Sequence, residues 1–310
     1  MVKIFLPTSI AGRFLFFKKI LSYKTKMIIS FSKNAMLFFE KDFSKTVVRM
    51  HRLKSFSCLY LYTEFDKIET VMKMLKIENL TKSFGDKKAV DNLTLHIEKG
   101  EIFGFIGHNG AGKTTTIKSC CGILSFDRGE IYIDGMSVKE KPMECKKILA
   151  YIPDNPDLYS FMTGIGYLNF VADIFEVDAT VRQEKIKKYA DLFELTSDLA
   201  QPIKSYSHGM KQKLAIISAL IHEPKLIIMD EPFVGLDPKA AHIVKGIMRD
   251  ICDKGGAIFF STHVLEVAEK LCDKVAIIKG GKLLVCGATE EITGDTSLEE
   301  VFLELGDGDA

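Results

Sequence analysis

One octapeptide fits the spacing G-x-x-x-x-G-K-S/T at every fixed position: Gly107-His108-Asn109-Gly110-Ala111-Gly112-Lys113-Thr114. A largely apolar run, residues 101–106, precedes it, and a segment of helical character, residues 115–124, follows it. Glycine lets the backbone wrap a phosphate closely, and the amide N–H groups of the loop and of the next helix N-terminus then face the anion. The octapeptide therefore predicts a phosphate-binding loop between a strand and a helix.

The last two residues of the octapeptide distinguish such a loop from an ordinary glycine-rich turn before a helix. Lys113 offers a positive charge to the β- and γ-phosphates of a nucleotide, and Thr114 offers a hydroxyl group to Mg²⁺. An ordinary turn has no requirement for Lys-Thr at these two positions. The spacing therefore favours a nucleoside triphosphate and Mg²⁺ as the ligands.

A second segment far downstream carries two carboxylates at the end of an apolar run. Residues 226–229 are Leu-Ile-Ile-Met, and Asp230 and Glu231 follow them directly. A buried strand would place Asp230 at its carboxyl edge, where the side chain can hold Mg²⁺ through water. Glu231, one residue further, can orient an attacking water or act as its general base. The alternative is a strand-end turn with surface carboxylates, and the octapeptide in the same chain argues against it.

The pattern of apolar residues predicts the architecture around these two segments. Residues 139–219 are expected to be mainly helical, and Gly280-Gly281 separates two short apolar runs that predict a hairpin. Strands interleaved with helices indicate an α/β core formed by residues 74–150 and about 220–290, with a helical subdomain at about 151–219. Residues 291–310 are assigned to a C-terminal tail. The predicted strands are residues 75–80, 93–97, 101–106, 129–135, 226–229, 257–260, 275–278 and 282–285.

Ser207-His208-Gly209-Met210-Lys211-Gln212 resembles the signature sequence of ABC-type ATPases, which is usually written LSGGQ. Further motifs stand in the order of that family, and the resemblance covers roughly residues 74–305. The chain is thus similar to a stand-alone nucleotide-binding subunit of an ABC transporter, and most similar to subunits of multidrug-type or other exporters. The motifs are Phe84 as the adenine-stacking aromatic residue, the octapeptide, Asp154 at the position of the switch glutamine, Asp237 in Val234-Gly235-Leu236-Asp237, and His263 in Ser261-Thr262-His263.

This resemblance implies a P-loop NTPase core with an inserted helical subdomain and a small antiparallel β part. It also implies a head-to-tail dimer, either a homodimer or a pair with a second ATPase subunit, that holds two ATP molecules between the subunits. Ser207 and Gly209 of one subunit would face the γ-phosphate bound by Lys113 of the other. His263 would contact the γ-phosphate, and Asp237 would contact the opposite subunit.

The function implied by the resemblance is hydrolysis of ATP to ADP and phosphate, which powers transport by a separate membrane-spanning permease. The chain would then lie in the cytoplasm, peripheral on the inner face of the cell membrane. Glu231, His263 and Lys113 would be the catalytic residues, and Thr114, Asp230 and Asp154 would hold Mg²⁺. The nucleotide would be bound by Phe84, Gly107, His108, Asn109, Gly110, Ala111, Gly112, Lys113, Thr114, Thr115, Ser207, Gly209 and Asp237.

Two alternatives to a transport function remain open at this point. Soluble ABC ATPases that act in translation or repair usually carry two such domains or a long coiled-coil insert, and this sequence has one domain and no such insert. A regulatory module that senses ATP with little turnover is the second alternative. Glu231 and His263 argue against the sensor, whereas Asp154 is compatible with it.

Two positions depart from the family pattern. The family normally has Gln at the position of Asp154, and an ionised Asp is shorter and can only accept hydrogen bonds. We expect Asp154 still to reach the Mg²⁺ shell, with Asn155 supplying the missing donor; the alternative is a solvated turn residue. His208 replaces the usual first glycine of the signature, a site that tolerates side chains in relatives, and we expect no effect there. His108 in the octapeptide is expected to face solvent.

The first 73 residues differ in composition from the rest of the chain. They carry a formal charge of +9 against −8 for the remainder, and they hold 10 of the 22 Phe but only one of the 23 Gly. One interpretation is an upstream extension of the gene, with the true start at Met72 or Met74. The other is a basic, aromatic arm that lies on anionic membrane. We favour the first, since the segment has no sustained amphipathic period.

Several further features bear on partners and location. The net charge of +1 gives no electrostatic case for nucleic-acid binding, and seven cysteines without a CxxC pair suit a reducing compartment. No uncharged apolar run approaches the roughly 20 residues of a membrane-spanning helix. By resemblance, the neighbourhood of Thr163-Gly164-Ile165-Gly166-Tyr167-Leu168 would dock the cytosolic helices of the membrane partner.

Overall fold

The computed structural model describes residues 28–32, 35–38 and 73–307. The chain separates into two units, Met1–Ile68 and Glu69–Ala310. In the first unit, β1 (Ile28–Ser32) and β2 (Ala35–Phe38) form an antiparallel pair. The start proposed at Met72 lies outside the described residues, as does most of the segment interpreted as an extension or a membrane arm.

A six-stranded sheet forms the centre of the second unit. Its order is β12-β11-β5-β10-β9-β8, with β11 and β12 antiparallel and all other neighbours parallel. Every residue of the central strands β5, β9 and β10 is buried, which is typical of parallel strands covered on both faces. The strands are β5 (Ile102–Ile106), β8 (Leu149–Ile152), β9 (Leu226–Asp230), β10 (Ala257–Thr262), β11 (Lys274–Lys279) and β12 (Lys282–Ala288).

The parallel register brings three loops to one edge of this sheet. Ile106 at the end of β5 pairs with Thr262 at the end of β10, and Ser261 pairs with Asp230 at the end of β9. The carboxyl ends of parallel strands are where α/β proteins build ligand sites. The octapeptide, the two downstream carboxylates and the residue after Thr262 therefore share one edge.

A second, antiparallel sheet has the order β4-β3-β6-β7. Its apolar residues, such as Leu75 and Ile131, share one buried cluster with Phe103 and Phe259 of the central sheet. Within the central sheet, the Phe259 ring of β10 contacts the rings of Phe103 and Phe105 of β5 at centroid distances of 5.9 and 5.5 Å. These two sheets and their helices confirm the predicted α/β class. The strands are β3 (Lys73–Phe84), β4 (Lys87–Glu98), β6 (Arg128–Ile133) and β7 (Met136–Ser137).

Helices cover the remaining surfaces of the central sheet. Between β8 and β9 the chain forms three of them, α3, α4 and α5, which pack on one another through buried residues such as Leu168, Ile186 and Leu214. The helices are α1 (Lys113–Cys120), α2 (Pro142–Ile148), α3 (Gly164–Ile174), α4 (Ala179–Leu192), α5 (His208–Leu220), α6 (Pro238–Asp253), α7 (Leu265–Leu271), α8 (Thr289–Thr293) and α9 (Leu298–Asp307), with 3₁₀ turns at Thr196–Asp198 and Ile203–Ser205.

Two elements differ from the sequence-based expectation. The segment 139–219, expected to be mainly helical, contains β8, whose four residues follow α2 directly and pair with β9. A strand this short, buried next to other strands, lacks the alternation that marks strands in sequence. The helix predicted at residues 115–124 begins at Lys113 and ends at Cys120, and Gly122 follows in the left-handed region at φ 64°.

The segment assigned to a C-terminal tail contains α9. Leu298, Val301, Phe302 and Leu305 recur at helical spacing and pack on the core. Ser297 and Glu300 cap the start of the helix reciprocally, each backbone N–H donating to the other side chain at 3.2 Å. Both the helical spacing of the apolar residues and the capping pair are visible in the sequence. Residues 308–310 lie outside the described part of the chain.

Across the ranges that the structure describes, no helix combines the length and the apolar character that crossing a bilayer demands.

Candidate nucleotide-binding site

An open cleft of about 310 Å³ lies at the carboxyl edge of the central sheet. Its size suits a nucleotide. Eleven of the residues predicted to bind nucleotide, Mg²⁺ or water line it, together with Lys87 and Ala89, which were not predicted. The eleven are Phe84, His108, Asn109, Gly110, Gly112, Lys113, Thr114, Thr115, Asp154, Asp230 and Glu231.

The glycines of the octapeptide have two distinct reasons to lack a side chain. Gly112 has φ 111°, and a Cβ there would stand 2.4 Å from the carbonyl oxygen of Ala89. A Cβ on Gly107 would stand 2.5 Å from the carbonyl oxygen of Ile278. Neither backbone atom can move aside cheaply. At these two close approaches the loop packs directly on the backbone of β4 and β11.

The ammonium group of Lys113 sits inside the curve of the loop. Its Nζ donates to the carbonyl oxygens of Gly107 at 2.5 Å and His108 at 3.4 Å, and it lies 3.7 Å from Glu231 Oε1. The side chain is buried. Buried cations are costly unless they are paired, so this charge stands ready for an anion in the loop.

Thr114 and Asp230 form an oxygen-rich pair at the base of the loop. The Thr114 hydroxyl donates to Asp230 Oδ2 at 2.6 Å, across the gap between α1 and β9. A hydroxyl and a carboxylate are ligands that suit Mg²⁺, which takes few protein ligands when phosphates supply the others. Within the described residues, no group of three or more His, Cys, Asp or Glu forms a metal cage.

Glu231 and His263 meet where β9 and β10 end. His263 Nδ1 lies 2.9 Å from Glu231 Oε1, and this oxygen accepts no hydrogen bond from the described residues. Glu231 adopts φ 49°, a left-handed conformation that it shares with six other non-glycine residues of the described chain; of these seven, only Glu231 lines the cleft. A carboxylate and an imidazole are thus held together at the cleft edge beside Lys113.

Phe84 stands at the open end of the cleft. Its ring is 53% exposed, and Lys82 Nζ lies 5.2 Å from the ring centroid. Lys87 and Ala89, on the next strand, line the same end. An exposed ring at this place is available for stacking on a nucleobase.

Asp154 follows β8 and reaches the cleft as an exposed residue. It therefore shares the cleft with Thr114 and Asp230, the other two residues expected at Mg²⁺. His108 is exposed as predicted, yet its ring also contacts Phe302 of α9 at a centroid distance of 4.8 Å. That contact was not predicted because residues 291–310 were expected to form a tail and not a helix.

Six predicted site residues are not among the described residues that line this cleft: Gly107, Ala111, Ser207, Gly209, Asp237 and His263. Ser207 caps α5, and its Oγ accepts a hydrogen bond from Met210 N at 3.3 Å. The His208 ring packs so closely on Gly235 that a Cβ on Gly235 would lie 2.3 Å from His208 Cδ2.

Asp237 caps α6 in the same neighbourhood as the signature segment. Its carboxylate accepts from Lys213 Nζ and from the Ala240 amide, each at 2.8 Å. The bond from Lys213, followed by the amide bond, lowers the pKa of Asp237. At the start of α5, Ser207 is exposed and Gly209 is partly exposed.

Comparison with known proteins agrees with this site. The profile of the family described as "ABC transporter" matches residues 90–234. The uncharacterized ABC transporter ATP-binding protein YhcH of Bacillus subtilis (strain 168) is 36% identical over 212 residues, which are 68% of each chain. YbhF of Escherichia coli (strain K12), a probable multidrug ABC transporter ATP-binding protein, is 31% identical over 240 residues, which are 75% of this chain and 41% of YbhF.

A solved structure, described as the ATP binding subunit of an ABC transporter, superposes with a TM-score of 0.73 at 33% identity. The superposition covers 76% of this chain and all of the solved one. The sequence motifs, the cleft and these relatives agree: the chain belongs to the ABC transporter family of ATP-binding proteins, whose domains hydrolyse ATP.

Proposed function

We propose that this chain binds MgATP, hydrolyses it to ADP and phosphate, and thereby drives export through a separate membrane-spanning permease. The observation that carries the proposal is the convergence of Lys113, the Thr114–Asp230 pair and the Glu231–His263 pair at one edge of the sheet. The experiment is phosphate release by the purified chain with Mg²⁺ and ATP, alone and with its permease.

The residues divide the chemistry between them. Lys113 and the amides of the octapeptide would bind the β- and γ-phosphates, and Phe84 would stack on the adenine. Thr114 and Asp230, with Asp154, would hold Mg²⁺, which when bound withdraws charge from the phosphate oxygens. Glu231 would orient the attacking water and accept its proton, and His263 would contact the γ-phosphate.

The site is completed by a second subunit in this proposal. Ser207 and Gly209 lie at the N-terminus of α5, where a hydroxyl, a bare backbone and the positive end of a helix suit a phosphate. Neither residue is among the described residues that line the chain's own cleft, which supports a role at the cleft of an opposite subunit. Asp237 and Val234 would border the same contact. Whether the second subunit is a copy of this chain or a related ATPase, ATP would close the pair and hydrolysis would release it.

An exposed aromatic cluster on the helical subdomain is the proposed docking surface for the permease. The Tyr159 ring contacts the rings of Phe161, Tyr167 and Phe170 at centroid distances of 5.8, 6.2 and 5.7 Å, and Phe161 is 81% exposed. Such a cluster costs free energy in water and favours an apolar partner. Its occupant would be a cytosolic helix of the permease, which would hold the chain at the inner face of the membrane.

Replacing Phe161 with Glu is expected to weaken permease binding about 30-fold, since a central aromatic anchor contributes most of the energy of an interface. A photo-crosslinker at Tyr159 in the otherwise unchanged chain should join a cytosolic helix of a multi-spanning protein, as mapped by mass spectrometry. Ile123→Glu is the control, because Ile123 is also exposed but lies outside the cluster. Equal binding by both variants would contradict the docking surface.

Replacing Asp154 with Ala is expected to lower the rate of ATP hydrolysis about tenfold and to raise the Mg²⁺ concentration that hydrolysis requires. Effects of this size are typical when a residue that supports a metal site is removed. Asp154→Gln, which introduces the residue usual in the family, should keep full activity. Asp157→Ala tests an exposed carboxylate nearby that does not line the cleft. If Asp154→Ala kept the activity and the Mg²⁺ dependence of wild type, Asp154 would be a solvated turn residue with no role at Mg²⁺.

A second candidate function is an ATP sensor with little turnover, with which the acidic residue at position 154 is compatible. A sensor would bind MgATP tightly without releasing phosphate, even when the permease is present. Turnover by the wild-type chain would exclude it.

A further inference from the structure

Ser261 links the two carboxylates of the site, although no motif assigned a role to it. It is fully buried in β10 and pairs in parallel register with Asp230 of β9. Its hydroxyl donates a hydrogen bond to Asp230 Oδ1. The same hydroxyl oxygen accepts from the backbone N–H of Glu231 at 3.2 Å, and the carbonyl oxygen of Ser261 accepts from that N–H at 3.2 Å as well.

The first of these bonds determines which oxygen of Asp230 faces the cleft. Ser261 engages Oδ1, so that Oδ2 points to the Thr114 hydroxyl at 2.6 Å. The terminal torsion of an Asp side chain has broad, two-fold preferences and does not by itself keep a carboxylate in one orientation. The Ser261 hydroxyl supplies that constraint from inside the sheet, where water cannot replace it.

The second bond acts on the backbone of Glu231. This residue has φ 49°, a conformation that persists only where the surroundings impose it. Both acceptors of the Glu231 amide belong to Ser261. The same residue therefore holds the turn that brings the Glu231 carboxylate to Lys113 and His263.

The neighbouring hydroxyl does not duplicate this arrangement. Thr262 Oγ1 accepts from the Val264 N–H at 3.0 Å and so shapes the following loop instead. Any residue at position 261 would keep the carbonyl acceptor, but only a hydroxyl side chain both donates to Asp230 and accepts from Glu231.

We propose that Ser261 is a positioning residue for the reaction: it orients Asp230 toward Mg²⁺ and fixes the backbone that presents Glu231 to the attacking water. The inference rests on the proposed function, because it assigns Ser261 to the same site.

The test compares the affinity for ATP in MgCl₂ and in EDTA by calorimetry. In EDTA, Ser261→Ala should bind ATP with an affinity within about twofold of wild type. The increase in affinity that Mg²⁺ produces should be about tenfold smaller than in wild type, as expected for loss of a hydrogen bond to a charged group. Hydrolysis should fall by at least as much, with a raised Mg²⁺ requirement. Ser261→Thr, which keeps the hydroxyl, should restore most of both.

Ser218→Ala is the matched control, since Ser218 is a buried serine in α5 whose hydroxyl donates to Ala215 O away from the cleft. If Ser261→Ala does not fold, Ser261→Cys keeps the shape with a weaker donor and should show the same loss in smaller degree. An unchanged Mg²⁺ gain in a folded variant overturns the proposal, as does an equal loss in Ser218→Ala. The proposed function itself would fail by a different result, namely if the wild-type chain bound MgATP but released no phosphate.

Discussion

Replacing Lys113 with Ala is expected to reduce ATP hydrolysis about 10³-fold, the effect of removing a central donor for developing phosphate charge. The ammonium group is buried in the phosphate loop and bound by the carbonyl oxygens of Gly107 and His108. Its Nζ also lies 3.7 Å from Glu231 Oε1. The measurement is steady-state phosphate release at saturating Mg²⁺, together with ATP affinity by calorimetry.

The expected loss should appear in affinity as well as in turnover, because the charge contacts the phosphates both in the ground state and in the transition state. Lys118→Ala is the control on the same helix, since Lys118 does not line the cleft. Lys113→Ala that retained both affinity and turnover would show that the nucleotide is bound somewhere else.

Replacing Glu231 with Gln is expected to lower hydrolysis about 10³-fold while ATP still binds, as for loss of a general base. The amide has the shape of the carboxylate but cannot accept a proton from water. In the folded chain Glu231 Oε1 is 2.9 Å from His263 Nδ1 and 3.7 Å from Lys113 Nζ, so the change removes the negative charge between them. Single-turnover hydrolysis separates this chemical step from product release.

Glu223→Gln is a matched control for this variant. Glu223 is also a glutamate with positive φ, 53° against 49° for Glu231, but its carboxylate pairs with Lys185 away from the cleft. The control should hydrolyse ATP like wild type. Full activity in Glu231→Gln would transfer the role of base to another group.

Much of the site could be predicted from sequence because its chemistry is carried by contiguous residues. The octapeptide specifies the loop through glycines that the backbone requires and through Lys113 and Thr114, which the ligand requires. Asp230 and Glu231 follow an apolar run, and a parallel sheet brings strand ends together. The α/β class followed from the same alternation of strands and helices.

The remaining features depend on contacts between segments that are distant in sequence. Lys87 and Ala89 line the cleft because β4 passes the loop, and Ser261 reaches Asp230 because β9 and β10 are neighbours. Neither relation leaves a local pattern. β8 is too short to show a period, whereas α9 has a capping box and helical spacing that could have been recognised.

The central claim is that ATP closes two subunits, each of which completes the pocket of the other. The most direct test is the mass of Glu231→Gln in solution with MgATP, measured by light scattering, because this variant should hold ATP without consuming it. One chain has a mass of 34.8 kDa. We predict that the variant has twice this mass with ATP and the mass of one chain without it. The claim would be contradicted if the variant remained a single copy at saturating ATP, including when the permease is also supplied.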